Sequence, residues 1–263
     1  MREDDGVYGD LDRPPLSASV LTRALEPDGW QVEVLAETGS TNAVVGDRAR
    51  AGTPQGLVVV AESQTAGRGR LDRTWVSPPR AGLTFSALLR PGLPPVDLPW
   101  VPLLSGVAVA RALREHTGVD AVLKWPNDVL VDGRKLCGLL AEVPVEGAVV
   151  VGIGLNVTTR AEELPHEQAT SLQLEGAEVL DRDTLLRAVL RSLTDVLALL
   201  RDDRAAAFSA YRALCSTLGT EVRVERPDGD SGTGVAEQVD DLGRLVVAGV
   251  AHSAGDVVHV RRP

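Results

Sequence analysis

The chain has 263 residues, of which 44% are hydrophobic, with 26 glycines and 16 prolines, a globular composition that excludes the fibrous and disordered classes. The formal net charge of -10 disfavours non-specific binding to DNA or to an anionic membrane. No stretch reaches the ~20 apolar residues that a membrane-spanning helix needs, so we expect no contact with a membrane.

The hydrophobic pattern predicts a short leader, residues 1–29, followed by an α+β body, residues 30–217, with a mixed β-sheet. Strands are predicted from β-branched apolar runs, and helices from apolar residues at helical spacing. The predicted strands are Gln31–Glu37, Leu57–Glu62, Leu83–Leu89, Val122–Val131, Lys135–Val143 and Ala148–Val157. The predicted helices are Ser17–Glu26, Thr41–Ala51, Leu98–His116, Asp183–Leu200 and Arg204–Leu214.

The pattern changes after Leu218, where short strands alternate with turn sequences. Turns that contain both glycine and aspartate are predicted at residues 227–229, 241–243 and 254–256. Turns at this spacing over about forty residues are typical of a small β-barrel. We therefore predict a separate C-terminal domain over residues 218–263.

Cysteine and histidine are sparse. Cys137 and Cys215 stand far apart, and the four histidines are scattered, so neither a disulfide framework nor a zinc site is indicated. The acidic start of the chain lacks the apolar core of a signal peptide. We therefore predict a cytoplasmic, reducing location.

The loop between the second and third predicted strands concentrates positive charge in an acidic chain. Residues 64–75 read QTAGRGRLDRTW, with Arg68, Arg70 and Arg73 within six positions. Guanidinium groups and backbone N–H groups of a glycine-rich loop are suited to bind an anion, and Trp75 can stack on a flat heterocycle. The alternative is a solvated basic loop. The spacing matches neither the P-loop nor the dinucleotide fingerprint.

Lysine is almost absent from the chain. Of 27 Lys and Arg residues, only Lys124 and Lys135 are lysines. Arginine is a planar fork, whereas lysine is a compact point charge on a flexible stem. Two lysines so close together in the sequence therefore indicate positions that require an ammonium group. The alternative is that their proximity is due to chance.

Four further motifs stand in order around the arginine loop. Residues 40–42 (Ser-Thr-Asn) follow a strand and open a helix, where they serve either as helix caps or as ligand contacts. Downstream stand KWPND (124–128), KLCG (135–138) and GIGLN (152–156). The glycines of the last motif either let a ligand ring lie against bare backbone or mark a bulge.

Together, the arginine loop and these four motifs, over about residues 30–215, resemble the biotin protein ligase family. The resemblance implies a catalytic domain of the biotin/lipoate ligase type with a mixed β-sheet, followed by a small SH3-like β-barrel. It implies an enzyme that forms biotinyl-5'-AMP from biotin and ATP and then transfers biotin to a lysine of a biotin carboxyl carrier protein, as in acetyl-CoA carboxylase. ATP and Mg²⁺ are the implied cofactors, with Mg²⁺ carried mainly by ATP.

The resemblance also implies the site residues. Lys135, Arg68 and Arg70 are the expected catalytic residues, because they offset the repulsion between the biotin carboxylate and the α-phosphate. The expected biotin-binding residues are Ser40, Thr41, Asn42, Gln64, Arg68, Gly69, Arg70, Lys135, Gly138 and Gly154. The expected ATP- or adenylate-binding residues are Arg70, Arg73, Trp75, Lys124, Asn127 and Asn156. No residue is assigned to a metal with certainty; Asp128 is either a metal ligand or an Asx-turn residue.

The chain departs from the family at two positions and leaves one alternative open. Asp72 stands where family members commonly have glycine, and we expect it to pair with a neighbouring arginine; Cys137 replaces the usual alanine. Only residues 1–29 precede the predicted body, so we expect no N-terminal helix-turn-helix module and no DNA binding. A lipoate ligase or octanoyltransferase of the same fold is the alternative, but the GRGR loop together with KWPND favours biotin. The oligomeric state and the identity of the carrier are not decided by the sequence.

Overall fold

The structure is a computed structural model that describes residues 13–71, 73–225, 231–253 and 255–259. Asp72 and the predicted turn at residues 227–229 lie outside these ranges. The helices are α1 (Ala18–Leu25), α2 (Thr41–Arg50), α3 (Trp100–Thr117), α4 (Arg182–Asp202) and α5 (Arg204–Leu214). The strands of the body are β1 (Gln31–Leu35), β2 (Leu57–Ala61), β3 (Gly82–Leu89), β4 (Val122–Lys124), β5 (Asp128–Val131), β6 (Arg134–Val145) and β7 (Ala148–Asn156). The C-terminal strands are β8 (Glu221–Glu225), β9 (Ser231–Val239), β10 (Leu245–Val247), β11 (Val250–His252) and β12 (Asp256–His259).

Seven strands of the body form one mixed sheet in the order β1-β2-β3-β7-β6-β5-β4. The β1–β2 pair is parallel, and the other neighbouring strands are antiparallel. The predicted α+β class and mixed sheet are therefore confirmed. No helix among the described residues combines the length and the apolar character needed to cross a bilayer.

One predicted strand is wrong in its extent. The segment predicted as a single strand, Val122–Val131, forms β4 and β5, which pair antiparallel around a turn. Pro126 lies in this turn and has no N–H to donate to a sheet, which interrupts the strand. The Trp125 indole N–H donates to the Gly243 carbonyl at 3.0 Å, so the turn is anchored to the C-terminal part of the chain.

Alternation along the strands separates a core face from a second face of the sheet. The main core lies between the sheet and α3, α4 and α5, and β7 contributes every second residue to it, namely Val149, Val151, Ile153 and Leu155. On the other face, α2 packs through Val45 and Ala49 on a smaller apolar cluster that includes Val150. The next residues of β7 on that face are Gly152 and Gly154, so β7 contributes no side chain to the α2 face between Val150 and Asn156.

The C-terminal strands form a separate antiparallel sheet in the order β11-β10-β9-β8-β12. The end strands β11 and β12 are not paired with each other in the described residues, so closure into a barrel stays a prediction. Trp100 of α3 stacks on Phe208 of α5, and its indole N–H donates to the Asp241 carbonyl at 2.9 Å. This contact fixes the C-terminal sheet against the body.

Candidate active site

A cavity of about 370 Å³ lies on the α2 face of the sheet, beneath the arginine loop. Its floor comes from β3, β6 and β7, and its walls come from the first turn of α2, the loop and the C-terminal sheet. The predicted site residues that line it are Ser40, Thr41, Asn42, Gln64, Arg68, Gly69, Arg70, Arg73, Trp75, Asn127, Lys135, Gly138, Gly154 and Asn156. Residues that are spread over more than a hundred positions of the sequence thus meet in one place.

Polar side chains meet at the end of the cavity that adjoins α2. Gln64 Oε1 accepts from the backbone N–H of Thr41 at 2.8 Å and from the Thr41 hydroxyl at 3.1 Å. The Ser86 hydroxyl lies 2.7 Å from Thr41 Oγ1 and 2.6 Å from Asn42 Oδ1. Ser86 is fully buried on β3, directly opposite Gly152 of β7, and supports Thr41 and Asn42 without lining the cavity itself. Nothing in the sequence marks Ser86, because a single serine within an apolar strand has no pattern that indicates a ligand site.

The Asn42 amide is held by protein groups at both ends. Its Nδ2 donates to the Leu140 carbonyl at 3.2 Å and to the Glu142 carboxylate at 2.7 Å. Its Oδ1 lies directly over Gly152, where a Cβ atom would clash with it. Gly152 therefore makes room for the Asn42 side chain, a purpose that neither sequence interpretation of the GIGLN glycines included.

Gly138 of β6 and Gly154 of β7 are cross-strand partners, and together they form a flat patch of floor. The Trp75 indole lies on this patch: a Cβ at Gly138 would be 3.3 Å from the ring, and a Cβ at Gly154 would clash with it. Trp75 Nε1 is buried without a hydrogen-bond partner in the described residues. The ring that lies on this bare backbone is that of Trp75, whereas the two sequence interpretations of the GIGLN glycines were a ligand ring and a bulge.

Lys135 lies at the start of β6 with its side chain 31% exposed. Its Nζ is 2.7 Å from Asp128 Oδ1. The two groups form an ion pair, but their relative orientation does not meet the angles of a hydrogen bond. Asp128 was predicted to be either a metal ligand or a turn residue; it directly follows the turn at residues 125–127, and its carboxylate contacts Lys135. An ammonium group that contacts one carboxylate has N–H donors left for a ligand anion.

The segment after β7 returns to the cavity because it pairs with the backbone of Lys135. The Lys135 N–H donates to the Gln168 carbonyl at 2.7 Å, and the Thr170 N–H donates to the Lys135 carbonyl at 2.8 Å. Asn156 Nδ2 donates to the Thr170 carbonyl at 2.9 Å, which fastens the segment to the end of β7. The wall formed in this way contains Pro165, His166 and Ala169. None of these three residues was predicted to lie in the site.

Arg70 is the most buried of the loop arginines that flank the cavity. Burial lowers the pKa of Arg70 from its ordinary value, and the carboxylates of Asp128 and Asp256 oppose that shift. The guanidinium keeps its charge in the working pH range, because the ordinary pKa of arginine lies far above it. Arg70 Nη1 donates to Asn127 Oδ1 at 3.4 Å, and Asn127 in turn donates to the Leu139 carbonyl at 3.0 Å.

The other two arginines of the loop pair with carboxylates on opposite sides of the cavity. Arg68 Nη2 lies 3.0 Å from Glu142 Oε2 of β6, and Arg73 pairs with Asp256 of β12. Burial is the largest single influence on Asp256 and raises its pKa, but the hydrogen bond to Arg73 and the positive charges of Arg73, Lys124 and Lys135 together outweigh burial, and the net pKa is below the ordinary value. Neither carboxylate was predicted, because each reaches the loop only through the fold.

Lys124 is the one predicted site residue that does not line the cavity. It is the register partner of Asp128 in the β4–β5 pair, and its charge acts on Asp256 and His259. Its predicted contact with the nucleotide stays a prediction.

Comparison with known proteins agrees with this arrangement. Residues 34–157 match the biotin/lipoate A/B protein ligase family. The chain is 42% identical over 265 residues to the biotin–acetyl-CoA-carboxylase ligase of Mycobacterium tuberculosis, a match that covers 95% of this chain and 97% of that protein. It is 32% identical over 228 residues to the bifunctional ligase/repressor BirA of Escherichia coli, a match that covers 84% of this chain and 66% of BirA.

The fold is also that of solved ligase structures. The biotin protein ligase from Aquifex aeolicus in complex with biotin and ATP superimposes with a TM-score of 0.76 at 30% identity, covering 88% of this chain and 99% of that one. The biotin protein ligase from Leishmania major in complex with biotinyl-5-AMP superimposes with a TM-score of 0.63 at 26% identity, covering 88% and 99%. The chain therefore belongs to the biotin/lipoate A/B protein ligase family and, within it, to the biotin protein ligases.

Proposed function

We propose that this protein is an ATP-dependent biotin protein ligase, which forms biotinyl-5'-AMP and then transfers biotin to a lysine of a biotin carboxyl carrier protein. The observation that supports this most directly is the division of the cavity into two chemically different ends. The cavity-lining side chains of Thr41, Asn42 and Gln64 at the α2 end are neutral. The charges beside them, those of Arg68 and Glu142, are paired with each other, whereas Lys135 and Arg70 stand at the other end. Biotin has the same division, with a neutral ureido ring at one end and a carboxylate at the other.

The α2 end suits the ureido ring because a flat urea needs donors and acceptors in fixed directions rather than a charge. Thr41, Asn42, Gln64 and Ser86 are linked to one another by hydrogen bonds, which limits the directions in which each can offer a further one. We infer that Thr41, Asn42 and Gln64, which line the cavity, form hydrogen bonds with the ring, and that Ser86, buried behind them, orients Thr41 and Asn42. The backbone of the α2 N-terminus and Ser40 complete that end of the cavity.

In the first step, an oxygen of the biotin carboxylate attacks the α-phosphorus of ATP, and the bond from that phosphorus to the pyrophosphate oxygen breaks. The two reacting groups are both anions, and negative charge builds on the α-phosphate oxygens as the bond forms. Lys135, Arg68 and Arg70 are the groups that we expect to offset that charge. They are positioned before the ligand arrives, by Asp128, Glu142 and Asn127 respectively.

In the second step, the amine of the carrier lysine attacks the acyl carbon of the mixed anhydride. The bond between that carbon and the phosphate oxygen breaks, AMP leaves with the electron pair, and the amine gives up a proton. Lys135 then steadies the leaving phosphate in the same way as it did the entering one. The adenylate is sensitive to water, and the arginine loop with Trp75 is the part of the site that we expect to shield it.

ATP and Mg²⁺ are the cofactors of this proposal. Among the residues that the structure describes, no group of three or more His, Cys, Asp or Glu side chains could hold a metal ion. Asp128 is engaged with Lys135, so it does not supply a ready Mg²⁺ site. We therefore assign Mg²⁺ to the ATP phosphates and derive no step from a metal bound by the protein.

A lipoate or octanoate ligase of the same fold remains the alternative. The polar α2 end argues against it, because an alkyl chain or dithiolane would leave the linked hydroxyl and amide groups without partners, and sites built for hydrogen bonds strongly reject such ligands. For partners we propose biotin, ATP and the carrier domain, without DNA, because a net charge of -10 opposes a polyanion. We also propose a cytoplasmic location, where the free thiols Cys137 and Cys215 stay reduced.

The test is a mass measurement on the carrier. The protein is incubated with ATP, Mg²⁺, an isolated biotin carboxyl carrier domain and either biotin or octanoate. We expect one biotinyl increment on the carrier, with none when ATP is omitted and none with octanoate. Transfer of octanoate at a comparable rate would favour the alternative, and no transfer of either acid would exclude the proposed function.

A further inference from the structure

We propose that Glu142 is a positioning residue of this site: one of its carboxylate oxygens both orients the Asn42 amide and restrains Arg68 above the cavity. The inference rests on the proposed function, since it names a residue that acts on biotin through two others. Glu142 lies on β6, four residues after Gly138, and does not itself line the cavity. No sequence motif of the site includes it.

A single atom makes both contacts. Glu142 Oε2 accepts from Asn42 Nδ2 at 2.7 Å and from Arg68 Nη2 at 3.0 Å. Asn42 belongs to the first turn of α2, at the base of the cavity, and Arg68 belongs to the loop above it. The carboxylate is therefore a direct link between the end that we expect to bind the ring and the cover of the site.

The surroundings of Asn42 leave its amide only one orientation. A carboxylate and a backbone carbonyl can only accept, so the atom that faces Glu142 and Leu140 must be the amide nitrogen. Both N–H groups of Asn42 are used by these two partners. Oδ1 accepts from the Ser86 hydroxyl and has one lone pair left.

This orientation decides what Asn42 offers to a ligand. With its donors occupied, Asn42 can only accept, and the N–H groups of a ureido ring are the donors that match it. Without the carboxylate of Glu142, the amide could turn over and present an N–H group, which would oppose a ligand N–H. We therefore expect the contact with Asn42 to govern biotin affinity.

The contact with Arg68 is weaker. The Glu142 and Arg68 side chains are 36% and 49% exposed, so their ion pair is screened by water and by salt. We expect it to influence how long the loop stays over the adenylate rather than how tightly biotin binds. Substitution of Glu142 should therefore have two separable effects, one on biotin affinity through Asn42 and one on adenylate release through Arg68.

Two substitutions separate them. Glu142→Gln keeps an acceptor for Asn42 and removes the charge opposite Arg68, whereas Glu142→Ala removes both. For Glu142→Ala we expect about 10- to 100-fold weaker biotin binding by calorimetry, as for loss of a hydrogen bond to a charged group. For Glu142→Gln we expect biotin affinity close to that of the wild type, and release of biotinyl-5'-AMP faster by about 2- to 5-fold at low salt. That difference in release should disappear at about 0.5 M salt, because the screening length is then only a few ångströms.

Glu33 supplies the matched control, because it forms a similar exposed ion pair away from the cavity. Its side chain is 38% exposed, and it lies 3.3 Å from Arg48. Glu33→Ala and Glu33→Gln should change neither biotin affinity nor adenylate release. A general effect of removing a surface carboxylate would alter both pairs of variants alike and would overturn the inference.

The wild-type protein distinguishes the two levels of the proposal. If the wild type does not bind biotin, the proposed function itself fails. If it binds biotin and Glu142→Ala binds equally well, the positioning role of Glu142 is wrong while the proposed function stands. If thermal unfolding shows that Glu142→Ala does not fold, adenylate release by Glu142→Gln at low salt decides, and a rate equal to the wild type overturns the inference.

Discussion

The floor of the cavity and the arginine loop above it line the same space but are held in place by different forces. The floor belongs to β3, β6 and β7, which are joined by continuous backbone pairing and are backed by the main apolar core. The backbone of the loop is held by isolated bridges, such as those between Arg68 and Thr74 and between Thr38 and Gln64, and by single hydrogen bonds, and its outer arginines are held by ion pairs that are at least partly exposed.

This difference separates two requirements of the proposed reaction. Offsetting charge in a transition state requires groups that are fixed in advance, and a sheet backed by a packed core fixes Lys135 in this way, whereas Arg68 and Arg70 belong to the loop. Admitting substrates and then excluding water requires a part that moves, and exposed ion pairs of about 0–1 kcal/mol each can be exchanged for contacts to a ligand anion. We expect substitutions in the floor to have larger effects than substitutions in the loop.

The largest effect is expected at Lys135, the cation that the floor holds in place. Lys135→Ala should slow biotin-dependent pyrophosphate exchange by about a hundredfold or more, as for loss of one transition-state contact worth about 3 kcal/mol. Lys135→Arg keeps the charge but not the compact shape, and should recover only part of the rate. Near-normal exchange by a folded Lys135→Ala protein would remove this residue from the chemistry.

The second effect tests the glycines of the floor. Gly152→Ala places a Cβ where Asn42 Oδ1 now lies, so the side chain must leave its network. We expect biotin affinity, measured by calorimetry, to fall by about tenfold, comparable to the loss of one or two net hydrogen bonds. Gly232→Ala on β9 is the control, since a Cβ there meets no atom within 4 Å. Equal affinities for the two variants would show that the floor tolerates displacement of Asn42.

The third effect concerns the loop. Amides of Arg68, Gly69 and Arg70 should exchange hydrogen quickly in the free protein and slowly once biotinyl-5'-AMP is bound. Arg68→Ala should release the adenylate faster by about 2- to 5-fold and increase biotinylation of off-target lysines. Exchange that is equally fast with and without the adenylate would contradict the comparison, because the loop would then not act as a cover.

The smallest effect is expected at the C-terminal sheet, which supplies the partner of Arg73. Burial and the charge of Lys124 lower the pKa of His259, so the folded state favours the neutral ring. The contribution of His259 to the free energy of unfolding is therefore fully present above its unfolded-state pKa of about 6.5. This contribution is lost as the pH falls through the lower pKa of His259 in the folded state. Thermal unfolding should therefore occur at a lower temperature at about pH 5 than at about pH 7.5, and His259→Gln should reduce that dependence. An unchanged pH dependence in His259→Gln would assign the effect to other groups.

The secondary structure and the charged motifs were predictable because both are local properties. Apolar periodicity placed the helices and strands to within a few residues, except at Pro126, where the missing N–H of proline breaks one strand into two. The scarcity of lysine and the density of arginine in one loop predicted Lys135 and Arg70 as site residues, and both line the cavity.

Tertiary structure alone decided how these groups are arranged. Ser86 and Glu142 reach Asn42 only because the strand order sets β3 beside β7 and β7 beside β6, and alternation along each strand then determines which side chains face α2. Asp256 reaches Arg73 only through the packing of two separate sheets. Lys124 and Lys135 are equally prominent in the sequence, yet strand pairing sets one in the cavity and the other outside it. The types of chemistry thus follow from the sequence, whereas the contacts between distant residues depend on sheet register and domain packing, which no local pattern encodes.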